Sequence, residues 1–202
     1  MLVVATRTCS RSKVTSLTEP NSFRFIGERE RFGDSFFKLV TGTFTDPAGF
    51  TFERDFVRHP GAVVVVPLEE DRKHVLMVRQ YRGSVNQVIL ELPAGKLDVV
   101  GEALPDAARR ELGEEVGKSA RKVSEIGHFY NSPGFTDERT TCFLAEGLAE
   151  IGRDSDGIEE EHMTVESIAL DDVWRLAKTG GLIDGKTLLA IAFTEHFLAG
   201  KA

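Results

Sequence analysis

The stretch of sequence that decides the fold reads GKLDVVGEALPDAARRELGEEVGK and runs from Gly95 to Lys118. Pro105 and Gly117 predict the two ends of a helix, because proline is favoured in the first helical turn and glycine just past the last. Apolar residues recur every four positions along this stretch and predict a buried stripe. These residues are Leu104, Ala108, Leu112 and Val116.

Acidic side chains lie beside this stripe. In a regular helix Glu111 and Glu115 are one turn apart on nearly the same side, and Glu114 lies one turn from Glu111 on the other flank. Like charges at this spacing repel each other, so the cluster favours a bound cation. Carboxylate oxygens are ligands that suit Mg²⁺ or Mn²⁺.

Such glutamates ordinarily form a solvated helix face, but the residues around them favour a functional site. Glu102 precedes the helix, Arg110 lies between the acids, and a Pro93-Ala94-Gly95 turn follows a predicted strand. Gly113 stands in mid-helix, where glycine costs about 1 kcal/mol relative to alanine. A purely structural helix has little reason to carry that cost.

The segment resembles the signature of the Nudix hydrolases, in which a glycine, a spacer and a glutamate precede the run Arg-Glu-apolar-x-Glu-Glu-x-Gly. The matching residues are Gly95, Glu102, Arg110, Glu111, Leu112, Glu114, Glu115 and Gly117. Two positions depart from the pattern: six residues rather than the usual five separate Gly95 from Glu102, and Lys118 replaces the usual aliphatic residue. The extra residue falls in a loop, where insertions cost little, and the helical spacing is intact.

Other segments resemble the ADP-ribose pyrophosphatase group of this family. Pro133 lies 16 residues after Gly117, as does that group's downstream proline, and Leu92–Gly95, Arg79–Arg82 and the late acidic run Glu159–Glu161 are also similar. The resemblance implies hydrolysis of ADP-ribose to AMP and ribose 5-phosphate with two or three Mg²⁺ or Mn²⁺ ions. It also implies a small-molecule substrate and a homodimer.

The resemblance further implies a role for each acidic residue. Glu111 and Glu115 would bind metal with the carbonyl of Ala94, while Glu114 and Glu102 would support the site by ligation or hydrogen bonding. Arg110 would orient these glutamates.

The catalytic base of the group comes from a late loop rather than from the helix. Glu159 matches it best, Glu161 would be a further metal ligand, and Glu160 is an alternative for either task. A solvated charge run is the competing interpretation of this loop.

Substrate contacts follow from the same resemblance. Arg54 and Arg82 would hold the phosphates or the terminal ribose, with Arg79 as a further cation beside Arg82, and Glu91 would take part in adenosine recognition. Ser132, next to Pro133, would line the terminal-ribose end. Guanidinium groups suit phosphate oxygens, but each arginine is equally compatible with a surface ion pair.

Three segments are predicted along the chain: a loose tail over residues 1–22, an N-terminal β-region over 23–59, and a Nudix hydrolase domain over 60–202. The runs Asp34–Phe44 and Phe50–Arg58 predict a hairpin around a Pro-Gly turn. In the ADP-ribose group such a region covers the partner subunit's site, so it is a possible dimerisation element.

Short runs rich in β-branched and aromatic residues predict the remaining strands. They span residues 62–67, 74–81, 88–92, 123–130, 140–148 and 163–170. Two further helices are predicted, one from Asp171 to Gly180 and one from Lys186 to Leu198. Because strands and helices do not alternate regularly, an α+β fold, specifically an α/β/α sandwich with a mixed sheet, is favoured over a Rossmann fold.

Composition excludes several classes of protein. Of the 202 residues 41% are hydrophobic and 28% charged, which excludes a fibrous or wholly disordered chain. The net charge of −7 opposes binding to nucleic acid or an anionic membrane. Cys9 and Cys142 form no zinc or disulfide pattern, and no signal peptide or membrane span is apparent, so we expect a cytoplasmic protein.

Two alternative functions remain open at this level. A Nudix hydrolase of a nucleotide sugar, a dinucleotide or a flavin dinucleotide would carry the same acidic helix. The NADH-directed group is disfavoured because Trp174 has no neighbouring proline. A non-catalytic nucleotide sensor usually lacks signature glutamates, and all four are present here.

Overall fold

A computed structural model describes residues 22–33, 37–153 and 161–200. Its N-terminal part is an antiparallel sheet of strands β1 (Arg24–Gly33), β2 (Lys38–Thr45) and β3 (Thr51–Arg58). The β2–β3 hairpin was predicted. Strand β1 was missed because its side chains are mostly exposed and charged, so it shows no apolar alternation.

The helix with the acidic signature packs on a four-stranded mixed sheet with the order β7-β4-β9-β8. Strand β4 (Ala62–Pro67) pairs parallel to β9 (Arg139–Glu150) and antiparallel to β7 (Ala94–Lys96), and β8 (Lys118–Tyr130) pairs antiparallel to β9. A second sheet places β5 (His74–Arg82) between β10 (Thr164–Ala169) and β6 (Gln87–Glu91).

Helices cover both faces of the mixed sheet, which makes the predicted α/β/α sandwich. Helix α1 spans Leu104–Glu111, α2 spans Leu170–Thr179 and α3 spans Gly185–Ala199. Side chains of β4 alternate between the faces: Val63 and Val65 belong to the core that contains α1, whereas Val64 and Val66 belong to the core that contains α2 and α3. All four valines are fully buried.

The signature helix differs from the prediction in its geometry. A regular α-helix was expected from Pro105 to Gly117, but α1 ends at Glu111 and continues as a π-helical turn over Leu112–Val116. Gly117 then adopts a left-handed conformation with φ of 73° and ends the helix, as predicted. A π turn is wider than an α turn, so it alters the directions in which its glutamates project.

Two strands also differ from their predictions. Residues 94–96 were predicted as part of a turn but form β7, because they pair with β4 through Val64 and Val63. Strand β8 begins at Lys118 rather than at residue 123, and its polar first residues pair with the end of β9. Neither pairing can be predicted from a local pattern of apolar residues.

The N-terminal sheet is joined to the rest of the molecule at the end of β3. The backbone N–H of Val57 donates to Phe135 at 2.7 Å, and Asp137 accepts from Arg58 at 2.7 Å and from the backbone of His59 at 2.9 Å. The division of the chain into segments at residues 22 and 59 stays a prediction. Within the described residues no helix is both long and apolar enough to cross a membrane.

Candidate active site

Two buried glutamates meet the backbone of β7. The side chain of Glu115 is almost fully buried and accepts a hydrogen bond from the backbone N–H of Ala94 at 3.0 Å. The carboxylate of Glu111, also buried, lies so close to Gly95 that a Cβ at position 95 would overlap it. The predicted convergence of these two acids is therefore present, and β7 is the surface on which they converge.

Burial makes this pair chemically unusual. A carboxylate removed from water is costly unless hydrogen bonds or cations compensate its charge. The π turn carries Glu115 while α1 carries Glu111, so both carboxylates face the strand instead of solvent. π turns of this kind are frequent at functional sites.

Arg110 binds the remaining signature glutamates and Glu111. Its guanidinium donates to Glu102 at 3.1 and 3.2 Å, to Glu111 at 2.7 Å and to Glu114 at 2.8 Å. The hydrogen bonds that Arg110 donates to Glu102 raise the pKa of Arg110 most strongly, burial opposes them with a smaller effect, and the charge of Glu111 raises the pKa further. Arg110 therefore stays cationic and contacts three carboxylates at once, and its role in orienting them stays a prediction.

A cavity of about 690 Å³ opens beside Ala94 and Gly95. Its lining brings together residues from β5, β7, the end of β8 and the start of α3. Cationic residues Arg82, Lys96 and Lys186 line it together with Asn131 and Glu138. The cavity is of the size that accommodates small-molecule ligands, and its cations suit an anionic one.

Glu91 lies behind the cavity wall rather than in it. Its side chain is fully buried, and it accepts two hydrogen bonds from Arg82, at 2.7 and 2.9 Å, and one from Lys186. Burial is the largest single effect on the pKa of Arg82 and lowers it, but the hydrogen bonds to Glu91 together with the charges of Glu91, Glu115 and Asp184 raise the pKa overall. Lys186 was not predicted as a site residue, because it lies 95 positions from Glu91 and nothing local in the sequence connects the two.

Two of the predicted arginines do not reach this cavity in the single chain. Arg54 is exposed on β3, where its guanidinium lies 4.9 Å from the centre of the Phe52 ring. Arg79 forms an ion pair with Glu166 on the neighbouring strand β10. Arg79 is exposed on β5 although residues 75–78 of this strand are buried, which the spacing of Arg79 and Arg82 did not reveal.

The predicted terminal-ribose loop adjoins the cavity. Ser132 lines a smaller cavity of about 200 Å³, which shares Asn131 and Glu138 with the larger one. Pro133 is exposed in the turn of this loop and lines neither cavity. Asn131 and Glu138 therefore connect the two spaces, although neither was predicted as a site residue.

The donor set fits a hard divalent cation. Glu111 and Glu115 bring carboxylate oxygens to Gly95 and Ala94, which line the cavity, and Gly95 leaves the space that a side chain would otherwise fill. Within the described segments, three ligand atoms come within 4.8 Å of one another at Glu69, Asp71 and His74, on the surface, and not among the signature glutamates. A cation at the signature would thus take the rest of its ligands from backbone, water or substrate oxygens, as Mg²⁺ often does.

Comparison with known proteins agrees with this geometry. The sequence model of the NUDIX domain matches residues 58–190, about two thirds of the chain. The chain belongs to the Nudix hydrolase family. Nudix hydrolases are pyrophosphohydrolases that typically use divalent metal ions and act on nucleotide-like small molecules.

Two relatives of this Nudix hydrolase carry different names. An ADP-ribose pyrophosphatase of Bacillus subtilis (strain 168) is 36% identical over 170 residues, covering 84% of this chain and 91% of that protein. A methanol dehydrogenase activator of Bacillus methanolicus is 35% identical over 158 residues, covering 78% of this chain and 84% of that protein.

A solved structure described as an ADP compounds hydrolase shares the fold. It aligns with a TM-score of 0.75 over 90% of this chain and 96% of its own, at 20% sequence identity. This likeness establishes that the chain has the mixed α+β Nudix fold preceded by a three-stranded antiparallel sheet.

The late acidic loop of this Nudix hydrolase is described only at its end. Glu159 and Glu160, predicted as alternatives for the catalytic base, lie outside the described residues. Glu161, predicted as a further metal ligand, is exposed. The roles of all three stay predictions.

We expect Gly95→Ala to abolish hydrolysis, because its methyl group would displace the carboxylate of Glu111 from β7. Turnover should fall at least about 100-fold, a loss typical of a misplaced catalytic group. The matched control is Gly27→Ala, where a Cβ meets nothing within 4 Å, and it should keep full activity. Steady-state rates and thermal unfolding of both variants test this, and an active Gly95→Ala enzyme would contradict the proposed packing.

Proposed function

We propose that this Nudix hydrolase cuts the diphosphate bond of ADP-ribose and releases AMP and ribose 5-phosphate. The observation that carries the proposal is the buried pair Glu111 and Glu115, which packs against Gly95 and Ala94. These two residues line a cavity of about 690 Å³ that also presents Arg82 and Lys186. Carboxylates that favour a cation thus contact the lining of a cavity whose own cations favour an anion. A substrate with a central diphosphate satisfies both.

The metal would be held by Glu111, Glu115 and the backbone carbonyl of Ala94, with Mg²⁺ or Mn²⁺ as the expected ions. When bound, such ions neutralise diphosphate charge, polarise phosphorus and lower the pKa of coordinated water. Glu114 and Glu102 support this arrangement through Arg110, to which both are hydrogen-bonded.

The residues of the chain itself position the substrate. Arg82 projects to the cavity, where its partly exposed guanidinium can bind a phosphate oxygen. Asn131 and Ser132 would contact the ribose at the far end, and Glu159 or Glu160 would accept the proton of the attacking water. The attack would be in line with the leaving phosphate, because phosphoryl transfer depends chiefly on positioning and charge stabilisation.

ADP-ribose is favoured over other diphosphates by the relative from Bacillus subtilis and by the downstream Pro133. The relative from Bacillus methanolicus, at nearly the same identity, is named for a different activity, and a direct assay distinguishes the substrates. The signature recognises only the diphosphate and its metal, whereas the cavity around Asn131 and Glu138 decides which group is accepted beyond it.

We expect ADP-ribose to be hydrolysed faster than GDP-mannose, NADH and FAD under identical conditions with Mg²⁺, and the reaction to stop in EDTA. Glu115→Gln should lower the rate at least about 100-fold, because it removes a metal ligand. Glu150→Gln, at a carboxylate that is 78% exposed, is the control and should be fully active. Chromatography of the products decides the outcome: a different preferred substrate refutes ADP-ribose, and turnover in EDTA refutes the metal model.

The late loop allows a separate test of the base. Whichever of Glu159 and Glu160 accepts the proton should lose about 10²- to 10⁴-fold in kcat when changed to glutamine, with KM nearly constant. The other variant, and Glu125→Gln at an exposed site on β8, should change little. Losses of only twofold in both loop variants would move the base elsewhere.

We also propose that two chains associate through their N-terminal sheets. Rings of this sheet contact one another in a cluster formed by Phe23, Phe25, Phe44, Phe52 and Phe56. Phe23 is still 66% and Phe25 51% exposed in the single chain. An exposed aromatic surface of this kind is typical of a protein interface. Arg54, on the same sheet, would then approach the partner subunit rather than its own cavity.

Phe25→Glu should convert a dimer into a monomer, because it places a charge in the proposed interface. Light scattering coupled to size-exclusion chromatography measures the mass. The control is Val100→Glu, at a fully exposed loop residue, which should leave the mass unchanged. A wild-type protein with the mass of a single chain would contradict this proposal without affecting the hydrolase assignment.

A further inference from the structure

One buried carboxylate organises the cationic side of the cavity. Glu91 has no exposed surface, yet it accepts hydrogen bonds from Arg82 through Nε and Nη2 and from the ammonium group of Lys186. Arg82 is 37% exposed and Lys186 17% exposed, and both line the cavity. Glu91 thus lies behind two cations that face the substrate space.

The position of Lys186 is set by a link between β6 and α3. Thr187, fully buried, donates through its hydroxyl to Asp184 at 2.6 Å and accepts from the backbone N–H of Leu92 at 2.8 Å. Asp184 also caps α3 by accepting from the backbone N–H of Thr187 at 3.0 Å. This link holds the residue after Glu91 against the residue after Lys186.

The group contains two carboxylates, Glu91 and Asp184, and two cations, Arg82 and Lys186. Lys186 pairs with Glu91 and with Asp184, the latter at 3.1 Å. Because the donors at the N-terminus of α3 also compensate Asp184, much of the charge of Lys186 is left for Glu91. Because Lys186 shares in neutralising Glu91, part of the positive charge of Arg82 remains available to an anion in the cavity. Without Lys186, Arg82 would be the sole cationic partner of Glu91 in the described structure, and its attraction for an anion in the cavity would fall.

We propose that Lys186 is a positioning residue for this hydrolase: it balances Glu91 so that Arg82 is available to the diphosphate of the substrate. This rests on the proposed function only in requiring an anionic substrate in the cavity. Lys186 affects substrate binding and not the chemical step, so its loss raises KM and leaves kcat nearly unchanged.

The first test compares Lys186→Met with Lys178→Met, a matched change at an exposed lysine of α2. Lys186→Met should raise KM for ADP-ribose about tenfold with kcat within about twofold, and Lys178→Met should match the wild type. An unchanged KM, or a loss confined to kcat, overturns the proposal. If Lys186→Met does not fold, Lys186→Arg is measured instead and should keep KM within about threefold, because its charge persists; a tenfold rise there overturns the proposal.

A double variant distinguishes two roles of Lys186: balancing the charge of Glu91, and contacting the substrate directly. In Glu91→Gln the buried charge is gone, so the further change Lys186→Met should no longer raise KM. The double variant Glu91→Gln/Lys186→Met should therefore have the KM of Glu91→Gln alone. If Lys186 instead binds substrate itself, its removal raises KM to the same extent in both backgrounds, and the positioning role is refuted.

Binding of α,β-methylene-ADP keeps this test independent of the substrate assignment. The carbon bridge prevents hydrolysis, so calorimetry with Mg²⁺ reports affinity alone. Lys186→Met should weaken this binding about tenfold and Lys178→Met should not. Loss of affinity without any ADP-ribose turnover in the wild type would refute ADP-ribose as the substrate and retain the role of Lys186, whereas equal affinities refute that role.

Discussion

The close packing of two glutamates against a strand with no side chain at Gly95 is the constraint on which this active site depends. Glu111 and Glu115 approach the backbone of β7 directly, so their carboxylates are buried beside Ala94 and Gly95, which line the cavity. The cost of burying these charges has to be offset by hydrogen bonds, by Arg110 or by a cation. The chemistry of the site thus follows from a packing relation between one helix and one three-residue strand.

The cationic part of the cavity lining also depends on a buried carboxylate. There Glu91 accepts hydrogen bonds from two cations that line the cavity, Arg82 and Lys186. Glu111 of α1 and Lys186 of α3 come from different layers of the sandwich, since α1 packs on one face of the mixed sheet and α3 on the other. A diphosphate with its metal ions is complementary to this arrangement, because it presents cations to the glutamates and oxygens to Arg82.

Much of the fold was predictable because its signals are local. Strand β4 and the β2–β3 hairpin were found from short apolar runs and a Pro-Gly turn, and helices α2 and α3 from periodicity and end signals. Strand β7 was missed because three residues carry no periodicity, and its existence depends on pairing with β4. The π turn after Glu111 was missed for a related reason: the α period was assumed, and tertiary packing decides where it changes.

The sequence by itself determined the family, the acidic helix and Arg110 as the partner of its glutamates, because these residues lie within a few turns of one another. Only the tertiary structure decided which arginine reaches the cavity. Arg82 meets Glu91 there, whereas Arg79 pairs with Glu166 and Arg54 stays on the N-terminal sheet. The tertiary structure also places Lys186 at the cavity, next to Glu91, although the two residues are 95 positions apart along the chain. The reason is physical: a spacing pattern records neighbours on one element, and contacts between elements depend on how those elements pack.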